Sequence, residues 1–339
     1  MYSSRTHLDA LLKSIYKAQA YYDEVQTVFS DHTSTCQKNN WLFFIKPEIT
    51  QANPAIQLEK VLGLILDKID AFGLHIHSIR NLPATYLKRH DLIRKHYGVI
   101  SQVASVGKKA LGEDAKKKFT EIFGIEAGEA KMMGGLEFLE AYPFFNAQSL
   151  DCMWQNSQNH KLAGGTYIEK WQVDLESIYV LNAFHPIQLE HFTLPGRSIV
   201  VMNLSGNLDW ADSRSRFAGA TNPVNALPGS LRNDLYCMAA ELGLPEISQS
   251  YNGIHLSAGP VEALLELQRF ESDLDGDAGL LRFDAFPFGK RLKESFGKIP
   301  EEIIQNTLID YKGKKTSVFD LTEELNSEEA LTVLNKFLK

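Results

Sequence analysis

Apolar residues from position 5 to 29 recur at helical spacing through Leu8, Leu11, Leu12, Ile15, Ala18, Tyr22 and Val25. The spacing predicts an opening helix with one packed face. The polar stretch SDHTSTCQKNN separates it from WLFFIKPEIT, a short apolar β run that stops at Lys46 and Pro47 because proline gives the ladder no donor. NPAIQLEKVLGLILDKIDAFG returns to helical spacing at Ile56, Leu58, Val61, Leu62, Ile65, Leu66 and Ile69. It closes on Gly73, a residue type suited to a C-terminal cap. LHIHSI then alternates strictly, as a strand half-buried through Leu74, Ile76 and Ser78 does. A helix over about Ala84 to Tyr97 follows it.

Between Val99 and Tyr179 no clean period survives, although GKKALGEDAKKKFTEIFG reads as a helix with a solvated cationic face. Order returns with SIVVMNLSG, a buried type of β run, and then with a turn-rich segment holding Gly219, Asn222, Pro223, Pro228 and Gly229. GIHLS is the last short strand before a helix that Pro260 helps to start. The tail carries a hairpin-like LIDYKGKKTSVFDL and a terminal helix through Leu331 and Leu334. The order strand, helix, strand, strand, helical turns, strand fits an α+β fold with a ferredoxin-like β-α-β-β-α-β core.

At 339 residues and 44% hydrophobic composition the chain can fill one large core or two modest ones. A net charge of -7 repels polyanions and excludes non-specific nucleic-acid binding. The three cysteines, Cys36, Cys152 and Cys237, are far apart and form no CxxC pair, which argues against a disulfide framework or a zinc site and fits a reducing cytosol. The N-terminus has no signal-peptide pattern and no apolar run reaches membrane-spanning length. A cytoplasmic protein with no membrane partner is expected.

Several chemical motifs are weak or missing. His75 and His77 share one strand face and could chelate a metal, but such a pair more often forms a solvated face. In DLDGDAGLLRFD, Asp273, Asp275, Asp277 and Asp284 fall at calcium-loop positions, yet Ala278 stands where the turn needs glycine. No phosphate loop, dinucleotide fingerprint or hydrolase elbow occurs. What remains is a lysine at a strand end, arginines among tight turns, and His255 between a strand and a helix. Guanidinium and ammonium groups so disposed are the parts of a phosphate-handling site that has no P-loop.

Three segments, FFIKPEIT, GATNPVNALPGSLRNDLY and YNGIHLSAGPVEALLEL, resemble successive signature segments of the nucleoside diphosphate kinases, in that family's order. The first is similar to the family's strand-end KPD, with Glu48 as the acidic residue. The second resembles its G-E-T-N-P run ending in R-x-D, and the third its N-x-[IVL]-H-x-S motif. The resemblance implies a ferredoxin-like core and a phosphotransferase that moves the γ-phosphate of a nucleoside triphosphate to a nucleoside diphosphate through phospho-His255. It implies that Lys46 contacts the transferring phosphate, that Thr221 and Arg232 hold the phosphates, and that Asn252 serves the sugar side. Ser257 would sit beside the histidine and Glu266 would accept its ring N–H.

The family's further phosphate-binding arginine would fall on Ser215, so that either Arg214 or Arg216 takes the role. Tyr97, Phe184 and Leu189 would replace the residues that clamp the base. Ala258 stands where the family has an aspartate after the active-site serine. Mg2+ would arrive with ATP or another triphosphate, held by nucleotide phosphates and not by protein ligands. The resemblance divides the chain into an N-terminal helical extension (1–40), a first core part (41–98), an insertion (99–179), a second core part with the histidine (180–272) and a C-terminal extension (273–339). It further implies a homo-oligomer, reduced by the insertion to a dimer. The insertion and the displaced arginine leave two other readings open, a nucleotide-binding sensor or scaffold and a phosphohistidine donor to a protein partner.

Overall fold

The computed structural model describes residues 3–31 and 37–338, so that Cys36 lies outside the described residues. Two compact units form, one from residues 1–90 with 195–339 and one from residues 91–194. Both mix strands with many helices, giving an α+β chain. The second unit's bounds enclose the segment 99–179 that has no clear period in the sequence.

In the first unit, helix α1 (Leu8–Gln19) leads into strand β1 (Gln26–Ser30). The helical spacing through Tyr22 and Val25 predicts a longer helix, but Tyr21 takes a left-handed backbone (φ 63) and turns the chain. Residues 26–30 then pair with another strand. Strand β2 (Asn39–Ile45), helix α2 (Leu58–Ala71) and strand β3 (His75–Pro83) follow. Gly73 does sit in left-handed backbone (φ 63) just beyond α2. The helix expected over Ala84 to Tyr97 breaks at Asp91 (φ 55), where the first unit gives way to the second.

The first unit resumes with strand β4 (Ser198–Gly206), helix α3 (Leu231–Cys237), strand β5 (Ile254–Leu256) and helix α4 (Pro260–Glu271). The strands form one sheet in the order β1-β3-β4-β2-β5, antiparallel at every pairing. Strand alternation sends Trp41, Phe43, Ile45, Val200, Met202 and Ile254 to one face, where they join Val61, Ile65 and Ile69 of α2 and Leu231 and Leu235 of α3 in the main core. Each such fully buried side chain contributes about 1.5–3 kcal/mol. The other face carries Asn40, Leu42 and Phe44, and α4 covers it, with Phe44 and Phe270 ring centroids 5.9 Å apart.

The tail adds strands β6 (Leu308–Tyr311) and β7 (Lys314–Ser317), an antiparallel hairpin, and helix α5 (Ser327–Phe337). Among the described residues no helix is long and apolar enough to cross a membrane.

The second unit has a four-stranded sheet in the order Met132–Gly134, Glu176–Leu181, Thr166–Val173, His160–Ala163, with the first pair parallel and the others antiparallel. Glu169 is fully buried in this sheet. Its Oε2 accepts the Trp171 indole N–H at 2.8 Å, and Oε1 has no hydrogen-bond partner among the described residues. Burial pushes its carboxyl from 4.5 up to about 7, the indole bond only partly offsetting the shift. A carboxyl raised on folding leaves stability intact below the unfolded value and removes it as pH rises toward the folded one. The unit should therefore lose stability between pH 4.5 and 7 and level off above that. Glu169→Gln is expected to flatten this slope and to stabilise the unit at pH 8 by on the order of 2 kcal/mol. Hydrogen exchange of residues 91–194 at pH 5 and pH 8 would measure it. An unchanged slope would place the titration elsewhere.

Candidate functional site

The short strand β5 decides where its histidine goes. Ile254 lies opposite Ile45 and His255 opposite Phe44 in the antiparallel ladder, and directly opposed residues share a face. Ile254 and Leu256 enter the main core, so His255 lies on the opposite face, under α4. Its ring stacks on Phe44 with centroids 4.5 Å apart and planes 21° apart.

Pro260 opens α4, and Glu266, six residues into it, is buried with its carboxylate 3.1 Å from His255 Nε2. Ser257 donates its hydroxyl to Glu266 Oε2 at 2.7 Å while its Oγ accepts the Leu42 N–H at 3.1 Å. The Trp210 indole N–H donates to the Ser257 carbonyl at 3.2 Å. A carboxylate facing Nε2 assigns the ring proton to that nitrogen in the neutral ring, and the lone pair to Nδ1. Glu262, one helical turn before Glu266, accepts the Ala258 N–H at 2.7 Å. Its carboxyl is pushed up by burial and by the neighbouring Glu266.

A second group gathers at the end of β2. The Lys46 N–H donates to the Gly253 carbonyl at 2.9 Å, which extends the ladder one step past Ile45. Lys46 is thus two residues beyond Phe44 and on the same face as His255, about 7 Å further along the strand. Its ammonium is buried and donates to Asn252 Oδ1 at 2.8 Å. Burial pulls Lys46 down to about 8, with Glu48 opposing the shift and the Arg232 charge adding to it.

Glu48 accepts the Gly253 N–H at 2.8 Å. Gly253 holds φ 81 and passes so close to Leu235 that a Cβ would sit 2.7 Å from its Cδ1. Asn252 in turn donates to the Thr221 and Gln249 carbonyls at 3.0 and 3.2 Å. Arg232, at the start of α3, donates to the Gly219 carbonyl at 2.5 Å and the Ile254 carbonyl at 3.2 Å. Gly219 holds φ 87, and any side chain there would collide with Ser230.

The structure thus brings together His255, Glu266 and Ser257, and beside them Lys46, Asn252, Arg232 and the Thr221 backbone. The Thr221 side chain is exposed. Arg214 instead pairs with Glu323 at 3.1 Å and Glu324 at 3.5 Å in the C-terminal tail, and Arg216 is exposed with its nearest carboxylate, Asp212, at 3.6 Å.

Tyr97, Phe184 and Leu189 belong to the second unit. There Phe184 packs against Trp154 and Tyr167, Tyr97 meets His96 edge-on and Phe192 at 6.1 Å, and the Leu189 carbonyl accepts from Thr193. His77 bonds Ser205 at 2.7 Å, and of the aspartates in the calcium-like run Asp275 pairs with Arg89 and Asp284 with Lys293.

Phe44, Trp210 and Glu262 join the site without a signal in the sequence motifs. Glu262 was detectable in principle, because a carboxylate four residues before Glu266 lies on the same helix face. Phe44 becomes visible only once the register of β2 against β5 is known.

No protein-family model matches this chain, and no curated protein matches it. Among solved structures it is similar to the apo nucleoside diphosphate kinase of Encephalitozoon cuniculi in its cubic form, with a TM-score of 0.34 and 14% identity over 72% of this chain and 95% of that one. Similarity of that order does not establish a common fold, and the chemistry of the site stands on its own contacts.

Proposed function

We propose that this chain is a nucleoside diphosphate kinase-like phosphotransferase working through phospho-His255. The observation that carries the reading is the His255 Nε2 to Glu266 contact, shared with the Ser257 hydroxyl, on a strand whose start is held by the buried Lys46 and the half-buried Arg232. The reading takes the first unit as a ferredoxin-like β-α-β-β-α-β core. The strand order β3-β4-β2-β5 supports this, as do α2 and the α3 turns lying on one face.

In the first half-reaction the Nδ1 lone pair attacks the γ-phosphorus of a nucleoside triphosphate. An N–P bond forms, the bond from that phosphorus to the β–γ bridging oxygen breaks, and the diphosphate leaves with the electron pair. In the second, a β-phosphate oxygen of the acceptor diphosphate attacks the same phosphorus, and the N–P pair returns to the ring. Glu266 holds the Nε2 proton and stabilises the positive ring as it develops. Phe44 limits rotation of the imidazole. Lys46 and Arg232 neutralise charge on the equatorial oxygens, where phosphoryl transfer gains most from a fixed cationic cradle.

Lys46 and Arg232 offer donors rather than carboxylates, a pair that suits phosphate oxygens and a Mg2+ ion delivered on the nucleotide and held by phosphates and water. That ion would add charge neutralisation between the phosphates.

The test is incubation with γ-labelled ATP and Mg2+. Label is expected on the protein in an acid-labile, base-stable bond, and is expected to leave when GDP is added. The pairing of Arg214 with Glu323 and Glu324 favours a second reading, a nucleotide sensor with one phosphate-binding cation tied up. ATP binding with no label would support it. Label that GDP does not remove would point instead to a protein acceptor.

A further inference from the structure

The sheet face that carries His255 holds a separate cavity of about 860 Å³ past the C-terminal end of α4. Its floor is built from strand residues. Asn40 is 92% buried, since only 8% of its surface is exposed. Its Nδ2 donates to Asn203 Oδ1 at 2.6 Å and to the Leu204 carbonyl at 2.7 Å. With both amide hydrogens used, Oδ1 is left as the acceptor, and among the described residues it takes no hydrogen bond. Asn203 lies opposite Ser78 in the ladder, and the Ser78 hydroxyl donates to Glu271 Oε1 at 2.7 Å. Asn40 and Glu271 therefore flank one Asn203–Ser78 pair.

The walls are acidic. Five carboxylates line the cavity, those of Glu24, Asp31, Glu271, Asp273 and Asp275, against one guanidinium, Arg80. Arg80 is buried and spends one nitrogen on the Phe270 and Ser272 carbonyls at 2.6 and 3.0 Å. Asp275 is balanced from outside by Arg89 and His90. His77 brings no fixed charge, because burial lowers its basicity. Burial also pushes the Glu271 carboxyl up, with the Ser78 hydrogen bond and the Arg80 charge opposing the shift. Phe286 and Pro287 supply an apolar wall. A cavity of this size with a few fixed polar groups is of the kind that holds small molecules. Its charge excludes nucleotides.

We propose that this cavity binds a small organic cation, a primary amine or diamine of metabolite size. The ammonium donates to Asn40 Oδ1 and to the Glu271 carboxylate, Asp273 closes the charge balance, and the carbon chain lies along Phe286 and Pro287. The site is independent of the phosphotransfer reading, because it uses none of the residues that serve His255.

Calorimetric titration of the full chain with putrescine, spermidine and L-arginine tests the proposal, with ATP as an anionic control. One amine per chain is expected to bind, and ATP is expected not to compete. Asp273→Asn, on an exposed side chain, is expected to weaken the amine about tenfold, and Glu271→Gln by more, since a charge-assisted contact is lost in each and the Glu271 contact is the more buried. Melting curves of the unliganded variants matching the parent would show that the fold is kept. The proposal is overturned if no amine binds. It is overturned equally if several amines bind per chain with affinity that neither variant changes, which would be diffuse attraction to an acidic protein.

Discussion

Replacing His255 with asparagine is expected to abolish phosphoenzyme formation, lowering phosphoryl transfer by at least about three orders of magnitude. Asparagine is polar and smaller than imidazole. It can still reach toward Glu266 and leaves Phe44 in place, so the sheet and α4 should stand. ATP affinity should change little, because the phosphates are assigned to Lys46 and Arg232. The decisive comparison is label retained on the protein against nucleotide bound to it. A variant that still carries label would move the nucleophile to another residue. One that turns over at the parent rate would end the phosphohistidine mechanism.

Lys46→Met is expected to cost about 10²–10³ in kcat/KM, the range found when a fixed electrostatic group is removed from a transition state. The buried ammonium makes a second, more specific claim. With Lys46 drawn down to about 8, its charge is present below that pH and lost above it. The limiting slope of log kcat/KM against pH should thus approach −1 on the alkaline side. Lys46→Arg keeps a positive charge at every accessible pH, so it should be slower than the parent yet lose this alkaline limb. If the limb survives in the arginine variant, another group titrates there and Lys46 is not the cation on the phosphate.

Parts of the fold and site could be read directly from the chain. WLFFI and SIVVMNLSG are too apolar and too short for anything but interior strands, and they became β2 and β4. The helix period at Val61, Leu62, Ile65, Leu66 and Ile69 marked α2. The interval between His255 and Glu266 also needed no structure, because a strand end followed by a proline-initiated helix returns the chain over itself.

Other features depend on distant segments. The helix period runs on past Gln19 through Tyr22 and Val25, and only pairing with β3 makes Gln26–Ser30 a strand. The inserted unit's strands are separated by tight turns at Gly164–Gly165 and Asp174–Leu175, where Gly165, Asp174 and Leu175 have positive φ. The second of these carries no glycine to announce it. Arg214 gives the clearest case at the site. Its partners, Glu323 and Glu324, lie more than a hundred residues away, and no local pattern links them.

The placement of β4 bears on the order in which the protein is made. That strand lies between β3 and β2, but it is encoded after the whole of residues 91–194. On the ribosome the first ninety residues emerge with β2 and β3 lacking the neighbour that joins them, while the inserted unit has all of its strands. The inserted unit is therefore the first able to fold to completion. The sheet that holds His255 must wait, with β2 unpaired and β3 joined only to β1, at least until residue 206 has cleared the exit tunnel.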